Sequence, residues 1–133
     1  MIYVLDTCAA FEIAFHGRKY NLFMNAIANA EKIIAPTLFD SEVSNVLWKY
    51  VCAGEVDEEN AKKTLVYLLQ LVNEYTDTSE LAIEALHEGI RLGHSIYDMF
   101  YAVLARHTGA TIMTTDKKFR TLAESLGIPV LYQ

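Results

Sequence analysis

Four carboxylic acids spread along the chain, Asp6, Glu42, Asp98 and Asp116, carry the chemistry that this sequence suggests. Acids gathered around one point repel each other and lose hydration, which raises their pKa values unless a cation sits between them. A hard divalent ion meets that need: Mg²⁺ takes one or two carboxylates, keeps several waters and accepts phosphate oxygens, and Mn²⁺ suits the same ligands. Such an ion acidifies a water for in-line attack on phosphorus and offsets charge on the leaving oxygen, the chemistry of phosphodiester hydrolysis. The proposal stands only if the fold delivers all four acids to one place.

The element pattern predicts that it does. Residues 2–5 (IYVL), 32–35 (KIIA) and 111–114 (TIMT) are short apolar or β-branched runs that read as strands, with briefer ones at 75–77 and 130–132. Helical spacing fills 7–16, 20–31, 36–53, 57–74, 81–92, 95–107 and 116–126. Pro36 suits the first turn of its helix, Asp57 and Ser95 read as N-caps, and Gly93 and Gly109 end helices. Strands alternating with helices imply an α/β fold, a three-layer α/β/α sandwich with a short, mostly parallel central sheet, in one domain spanning 1–133. Ligands of such sheets gather outside the carboxyl ends of the strands. Asp6 and Asp116 follow strands at that edge. Helices returning from it also begin there, which puts Glu42 in the second turn of one and Asp98 in the first turn of another.

Each acid also has a purely local explanation. Asp6 and Asp116 fit helix N-caps, Ser95-Ile-Tyr-Asp98 fits a capping box, and Glu42 fits a solvated helix acid, although Leu38 and Val46 four residues to either side put it at the border of a packed face. Against this, the helix around Asp98 is apolar on every side and is expected to be buried, where a carboxylate needs a partner. Independent caps also have no reason to coincide on one sheet edge.

The segments V-L-D-T, P-T-L-F-D-S-E-V-S-N-V-L, S-I-Y-D-M-F-Y-A-V-L-A and A-T-I-M-T-T-D-K-K-F occur in that order. Through them the chain resembles PIN domains nearly end to end, and in its compact size the VapC-type toxin ribonucleases of toxin–antitoxin modules. The resemblance implies that Asp6, Glu42, Asp98 and Asp116 form an acidic Mg²⁺ or Mn²⁺ site acting on single-stranded or loop RNA. It also implies a homodimer and a small antitoxin whose tail covers the site. Thr114 matches a small hydroxyl residue often found beside that site, while Cys8 stands where Ser or Asn is common, and a thiol is the poorer hydrogen-bond partner. Lys117, Lys118 and Arg120 oppose the macrodipole at a helix start, and are candidates for holding RNA phosphates.

Composition narrows the field further. Of 133 residues 53% are hydrophobic and 21% charged, with six Gly and two Pro, which excludes disorder and low complexity. Seventeen acids against eleven bases give a formal charge of −6, which argues against nucleic-acid binding by bulk positive charge unless bound cations change what a polyanion meets. The longest uncharged apolar stretch, 65–72, is far below the ~18 residues of a membrane span. Asp6 and Glu12 precede any basic residue, unlike a secretory leader, so a cytoplasmic location is expected. Cys8 and Cys52 make no disulfide framework.

Among rival enzymes, a haloacid-dehalogenase-like phosphatase needs D-x-D where Cys8 breaks the pattern. A receiver domain needs paired acids near Asp6, and dinucleotide binding needs G-x-G-x-x-G. The remaining alternatives are a PIN-like nuclease of RNA processing and a catalytically weak PIN module that sequesters a partner. His16, His87, His94 and His107 lack ligand spacing and are assigned no chemistry. Trp48, Tyr50 and the 65–72 stripe read as core or dimer contacts rather than stacking surfaces.

Overall fold

Val4, Leu5, Ile33, Ile34, Ala35, Ile112 and Met113 are almost wholly buried, which explains why these strands read as unbroken apolar runs instead of alternating ones. In the computed structural model, which describes residues 1–132, they belong to β1 (Ile2–Leu5), β2 (Lys32–Pro36) and β4 (Thr111–Met113). With β3 (Glu74–Thr76) and β5 (Val130–Leu131) these form one sheet in the order β3-β2-β1-β4-β5, parallel at every pairing. The chain steps from β1 to β2 and β3, then crosses back to β4 and β5. That reversal opens a crevice at the carboxyl ends of β1 and β4, where the Asp6 amide donates to the Met113 carbonyl at 3.1 Å.

The helices are α1 (Thr7–Ala14), α2 (Tyr20–Asn29), α3 (Leu38–Cys52), α4 (Glu58–Gln70), α5 (Ala82–Leu92), α6 (Ile96–Thr108) and α7 (Lys117–Ser125). With the crossover helices the sheet gives the expected α/β/α sandwich. Helix α6 packs against β1, β2, β4 and α5, and Met99 and residues 101–105 are buried. Its two ends are exposed, residues 106–108 at one and Ile96 and Tyr97 at the other, so the helix emerges from the core where it carries Asp98. None of the helices among the described residues is long and apolar enough to cross a membrane.

Most helix and strand ends move by one or two residues from the sequence reading, and three of the shifts have a visible cause. Pro36 ends β2, paired with Thr76, and the helix begins at Leu38. Helix α4 stops at Gln70 because the next residues are drawn into the sheet: the Asn73 side chain accepts from the Ile33 amide at 2.7 Å, and the Asn73 amide donates to the Ile33 carbonyl at 2.8 Å. Glu74 is therefore a strand residue, and Asp77 caps the short 3₁₀ turn Thr78–Glu80 instead of ending β3. The N-caps Asp57 and Ser95 are as expected, and Gly93 closes α5 in the left-handed region at φ 62°, where a glycine avoids Cβ strain.

Candidate active site

Asp6, Asp98 and Asp116 line one cleft of about 500 Å³ at the carboxyl edge, together with Thr7, Cys8 and Glu12. Strand β1 delivers Asp6, the exposed first turn of α6 delivers Asp98, and the turn after β4 delivers Asp116. Glu42 stands beside them in a neighbouring hollow of about 320 Å³, lined also by Ser41, Asn45 and Tyr97. The four acids thus share an edge, as expected. Among the described residues no three His, Cys, Asp or Glu side chains are close enough to form a ready-made metal cluster.

Each acid is held by a different neighbour. Asp6, 7% exposed, accepts from the Thr114 hydroxyl at 2.8 Å through Oδ2 and from the Cys8 amide at 3.2 Å through Oδ1. Glu42 Oε1 accepts from the Tyr101 hydroxyl at 2.6 Å and from the Thr7 hydroxyl at 3.0 Å. Asp98 Oδ2 lies 2.8 Å from His94 Nε2. Asp116 Oδ1 accepts from the amides of Lys118 at 2.9 Å and Phe119 at 3.1 Å. In the last three acids the second oxygen has no hydrogen bond among the described residues.

The local explanations fare differently. Asp6 and Asp116 are indeed N-caps, of α1 and α7. Capping and site membership are compatible, because a carboxylate offers about four lone-pair positions and a cap uses one or two. The capping box at Asp98 is absent: Ser95 accepts from the Tyr97 amide, and the Asp98 carboxylate turns to His94.

Burial pushes the Asp6 carboxyl up to about 6; the Thr114 and Cys8 hydrogen bonds pull it down, and the charges of Asp98 and Glu42 raise it further. The buried Tyr101 phenol is pushed well above its ordinary value, first by burial and then by Glu42, so it stays a protonated donor. These features fit a hard cation: the donors are carboxylate oxygens, and the buried acid among them lacks a compensating charge.

Thr114 is the hinge of the site, as its position suggested. Its hydroxyl gives its proton to Asp6 and accepts from the Asp116 amide at 3.1 Å. Cys8 Sγ lies 3.1 Å from the same hydroxyl oxygen and accepts from the Thr115 amide at 3.3 Å. With the Thr114 proton spent on Asp6, the thiol is the donor in that pair. Burial raises the Cys8 thiol pKa, with the Asp6 charge next, which keeps that proton in place.

Of the three basic candidates, Lys117 and Lys118 are exposed at the start of α7. Lys118 lines a further hollow with His94 and Thr121. Arg120 is turned to its own neighbours, Glu124 at 3.5 Å and the Tyr132 ring at 3.3 Å from its centroid. Sequence reasoning missed His94, Tyr101 and Thr7 as partners of the acids. Only the capping-like spacing of His94 and Asp98, four residues apart, offered a signal. It also missed Glu12, whose carboxylate accepts from the Lys19 amide at 3.0 Å and occupies space that a Cβ on Gly17 would fill. Trp48 is 62% exposed and is no core residue, whereas Leu68 and Val72 are buried as expected.

Comparison with known proteins places the chain in a family. The PIN domain model matches residues 3–125. An exonuclease VapC9 of Pyrobaculum aerophilum is 29% identical over 94% of this chain and 86% of its own length. A ribonuclease VapC1 of Mycobacterium tuberculosis is 32% identical over 71% of this chain and 68% of its own length. In fold, the chain superposes on a chain of the VapBC2 structure from Rickettsia felis, bound to a DNA fragment from their promoter, with a TM-score of 0.71 at 20% identity, covering 98% of each. The chain belongs to the PIN domain family.

Proposed function

We propose that this protein is a metal-dependent endoribonuclease and the toxin of a type II toxin–antitoxin pair. The observation that carries this reading is the meeting of Asp6, Asp98 and Asp116 in one cleft, with Glu42 beside it and no Lys or Arg among the residues that line the cleft. The relatives named as VapC nucleases and the VapBC2 likeness in fold support the same reading.

Asp6, Glu42, Asp98 and Asp116 would hold Mg²⁺, or Mn²⁺, through carboxylate oxygens. When bound, the ion supplies an acidified water and a counter-charge for the phosphodiester. The chain's own residues set the stage for it. Thr114 orients Asp6 and ties it to the Asp116 turn, with Cys8 completing that hydrogen-bond set. Tyr101 and Thr7 fix one oxygen of Glu42 and so aim the other. Lys117 and Lys118, with Arg120 if it leaves Tyr132, would meet the phosphates of RNA near the cleft. The cellular setting in this reading is cytoplasmic, the assembly a homodimer, and the inhibitor a small antitoxin whose tail covers the acidic cleft.

The test is cleavage of a circular single-stranded RNA, which only an endonuclease can open. The wild type is expected to linearise it with Mg²⁺ and to stop on addition of EDTA, and Asp98→Asn prepared in parallel is expected to leave it closed. An intact circle with the wild type, or equal cutting by Asp98→Asn, overturns the reading.

A further inference from the structure

The acids account for one end of the cleft only. Its other wall is Phe11 from α1, Phe15 at the C-cap of that helix, and Val46 and Tyr50 from α3. The rings form one cluster, with centroids 5.7 Å apart for Phe11–Phe15, 6.3 Å for Phe11–Tyr50 and 5.2 Å for the nearly edge-on Phe15–Tyr50 pair. Phe11 also packs against the core, and the other two rings lie outside it. Helix α1 already buries Ala9, Ala10 and Ile13, whereas Phe15 is 46% exposed and neither Phe11 nor Tyr50 is fully buried. Phe11 and Phe15 are four residues apart and so share one helix face, the one turned to the cleft.

A second hollow shows what this wall is not. The groove between α3 and α4 has one aromatic ring, Trp48, beside four aliphatic side chains, Leu47, Val51, Ala61 and Leu65, and Lys62 and Glu58 share its lining without any cluster of acids. In the acidic cleft three of the four apolar residues are aromatic, and they continue directly from the carboxylates. A nucleotide has the same two ends, a phosphate that carries charge and a base that offers a flat π-face. Base–aromatic stacking is the usual way in which proteins hold unpaired RNA bases. The cleft volume also falls within the range of small-ligand sites.

We propose that Phe11, Phe15 and Tyr50 form a nucleobase subsite, on which one unpaired base stacks while the adjoining phosphodiester lies at the carboxylates. The proposal rests on the ribonuclease reading. Because every base has a π-face, the subsite sets the register of the strand on the acids more than it selects a sequence, with purines favoured modestly for their larger stacking area. It also demands local single-strandedness, since a paired base cannot reach the wall.

The experiment uses a short RNA with one cleavage site, in which each nucleotide flanking that site is replaced in turn by an abasic one. It is cut by the wild type and by Phe15→Leu, which keeps apolar bulk at a half-exposed position. One abasic position is expected to lower wild-type kcat/KM by about 5- to 100-fold. Phe15→Leu is expected to lose a similar factor on intact RNA and nothing further on that abasic RNA. Trp48→Leu, outside the cleft, is expected to match the wild type. The subsite is overturned if no abasic position matters, if the two losses multiply, or if Phe15→Leu cuts normally and only releases a bound inhibitor protein. The abasic scan on wild type alone decides the matter should Phe15→Leu fail to fold. A wild type that cuts no RNA overturns the ribonuclease reading, and the subsite with it.

Discussion

Two buried acids in this molecule are treated in opposite ways. Glu88, on α5 and 3% exposed, accepts from Arg91 Nε at 2.7 Å and from Arg106 at 2.5 Å, and its pKa is held down at about 2 by those two hydrogen bonds. Glu84, one turn away, is paired with the same Arg106 and with His107. Asp6 is as well buried, yet its listeners are a hydroxyl and an amide, and its pKa is pushed up to about 6. Where an acid ties α5 to α6, the chain supplies the cation itself. At the carboxyl edge of the sheet it supplies hydroxyl and amide donors and one histidine, with no Lys or Arg lining the cleft. That contrast separates a structural acid from a ligand site more sharply than burial does, since both acids are buried.

Substitution of each acid by its amide tests the contrast directly. Asp6→Asn is expected to reduce RNA cleavage by at least about 100-fold, since in the proposed function Asp6 holds the metal and loss of a ligand exceeds the 10- to 100-fold typical of supporting residues. In metal-free buffer at pH 7 the same variant melts no lower than the wild type, because a buried uncompensated charge has been removed. A lowered Tm would break the comparison from the Asp6 side. Glu88→Gln gives the reverse pattern: about 2 kcal/mol of stability lost, or roughly a 30-fold shift in the folding equilibrium, with cleavage by the folded protein unchanged. Chemical denaturation reads the first and initial rates the second.

Smaller changes sharpen the picture of the site. Tyr101→Phe keeps the ring, which is 1% exposed, and removes one of two donors to Glu42. It is expected to lower activity by about 10-fold, with a higher Mg²⁺ concentration needed for half-maximal rate. An unchanged Mg²⁺ requirement would show that the phenol does not orient Glu42. Cys8→Ser is the mildest: the hydroxyl can make the same bonds to Thr114 and Thr115, so rates should stay within about threefold of wild type, on the higher side if either. A large loss would point to a role for the thiol beyond hydrogen bonding.

The sequence made the acids legible because position along a parallel strand fixes where its carboxyl end lies. Asp6 and Asp116 follow strands directly, and Glu42 and Asp98 follow from the direction of the returning helices. Tyr101, Thr7 and His94 were not legible as their partners. Tyr101 meets Glu42 across 59 positions and Thr7 across 94, distances over which no periodicity speaks. Helix α6 was read as buried all round from composition, yet its first turn is exposed at the sheet edge, and that is what opens Asp98 to the cleft. Tyr50 looked like core or interface because hydropathy cannot distinguish a ring in a cleft wall from one in a core. The end of α4 was hidden for a related reason: Asn73 and Glu74 fit a helix by spacing, but the open edge of β2 offered them hydrogen bonds and a Lys32 partner at 3.0 Å.

Thermal unfolding of the wild type from about pH 2 to 8, in EDTA and in Mg²⁺ or Mn²⁺, tests the central claim most directly. The folded Asp6 pKa of about 6 lies above its ordinary 3.8, so the metal-free protein binds the extra proton on folding and loses stability as pH rises through that interval. Glu88 acts oppositely, its contribution being complete above its ordinary 4.5 and lost as pH falls toward about 2. In EDTA, Tm should therefore be highest at about pH 4, where the two windows meet, declining as pH rises to about 6 and again as it falls toward about 2. Added divalent metal should lift the neutral limb and leave the acid limb in place. A neutral limb that is flat in EDTA, or that metal does not move, would contradict the claim that these acids wait for a cation.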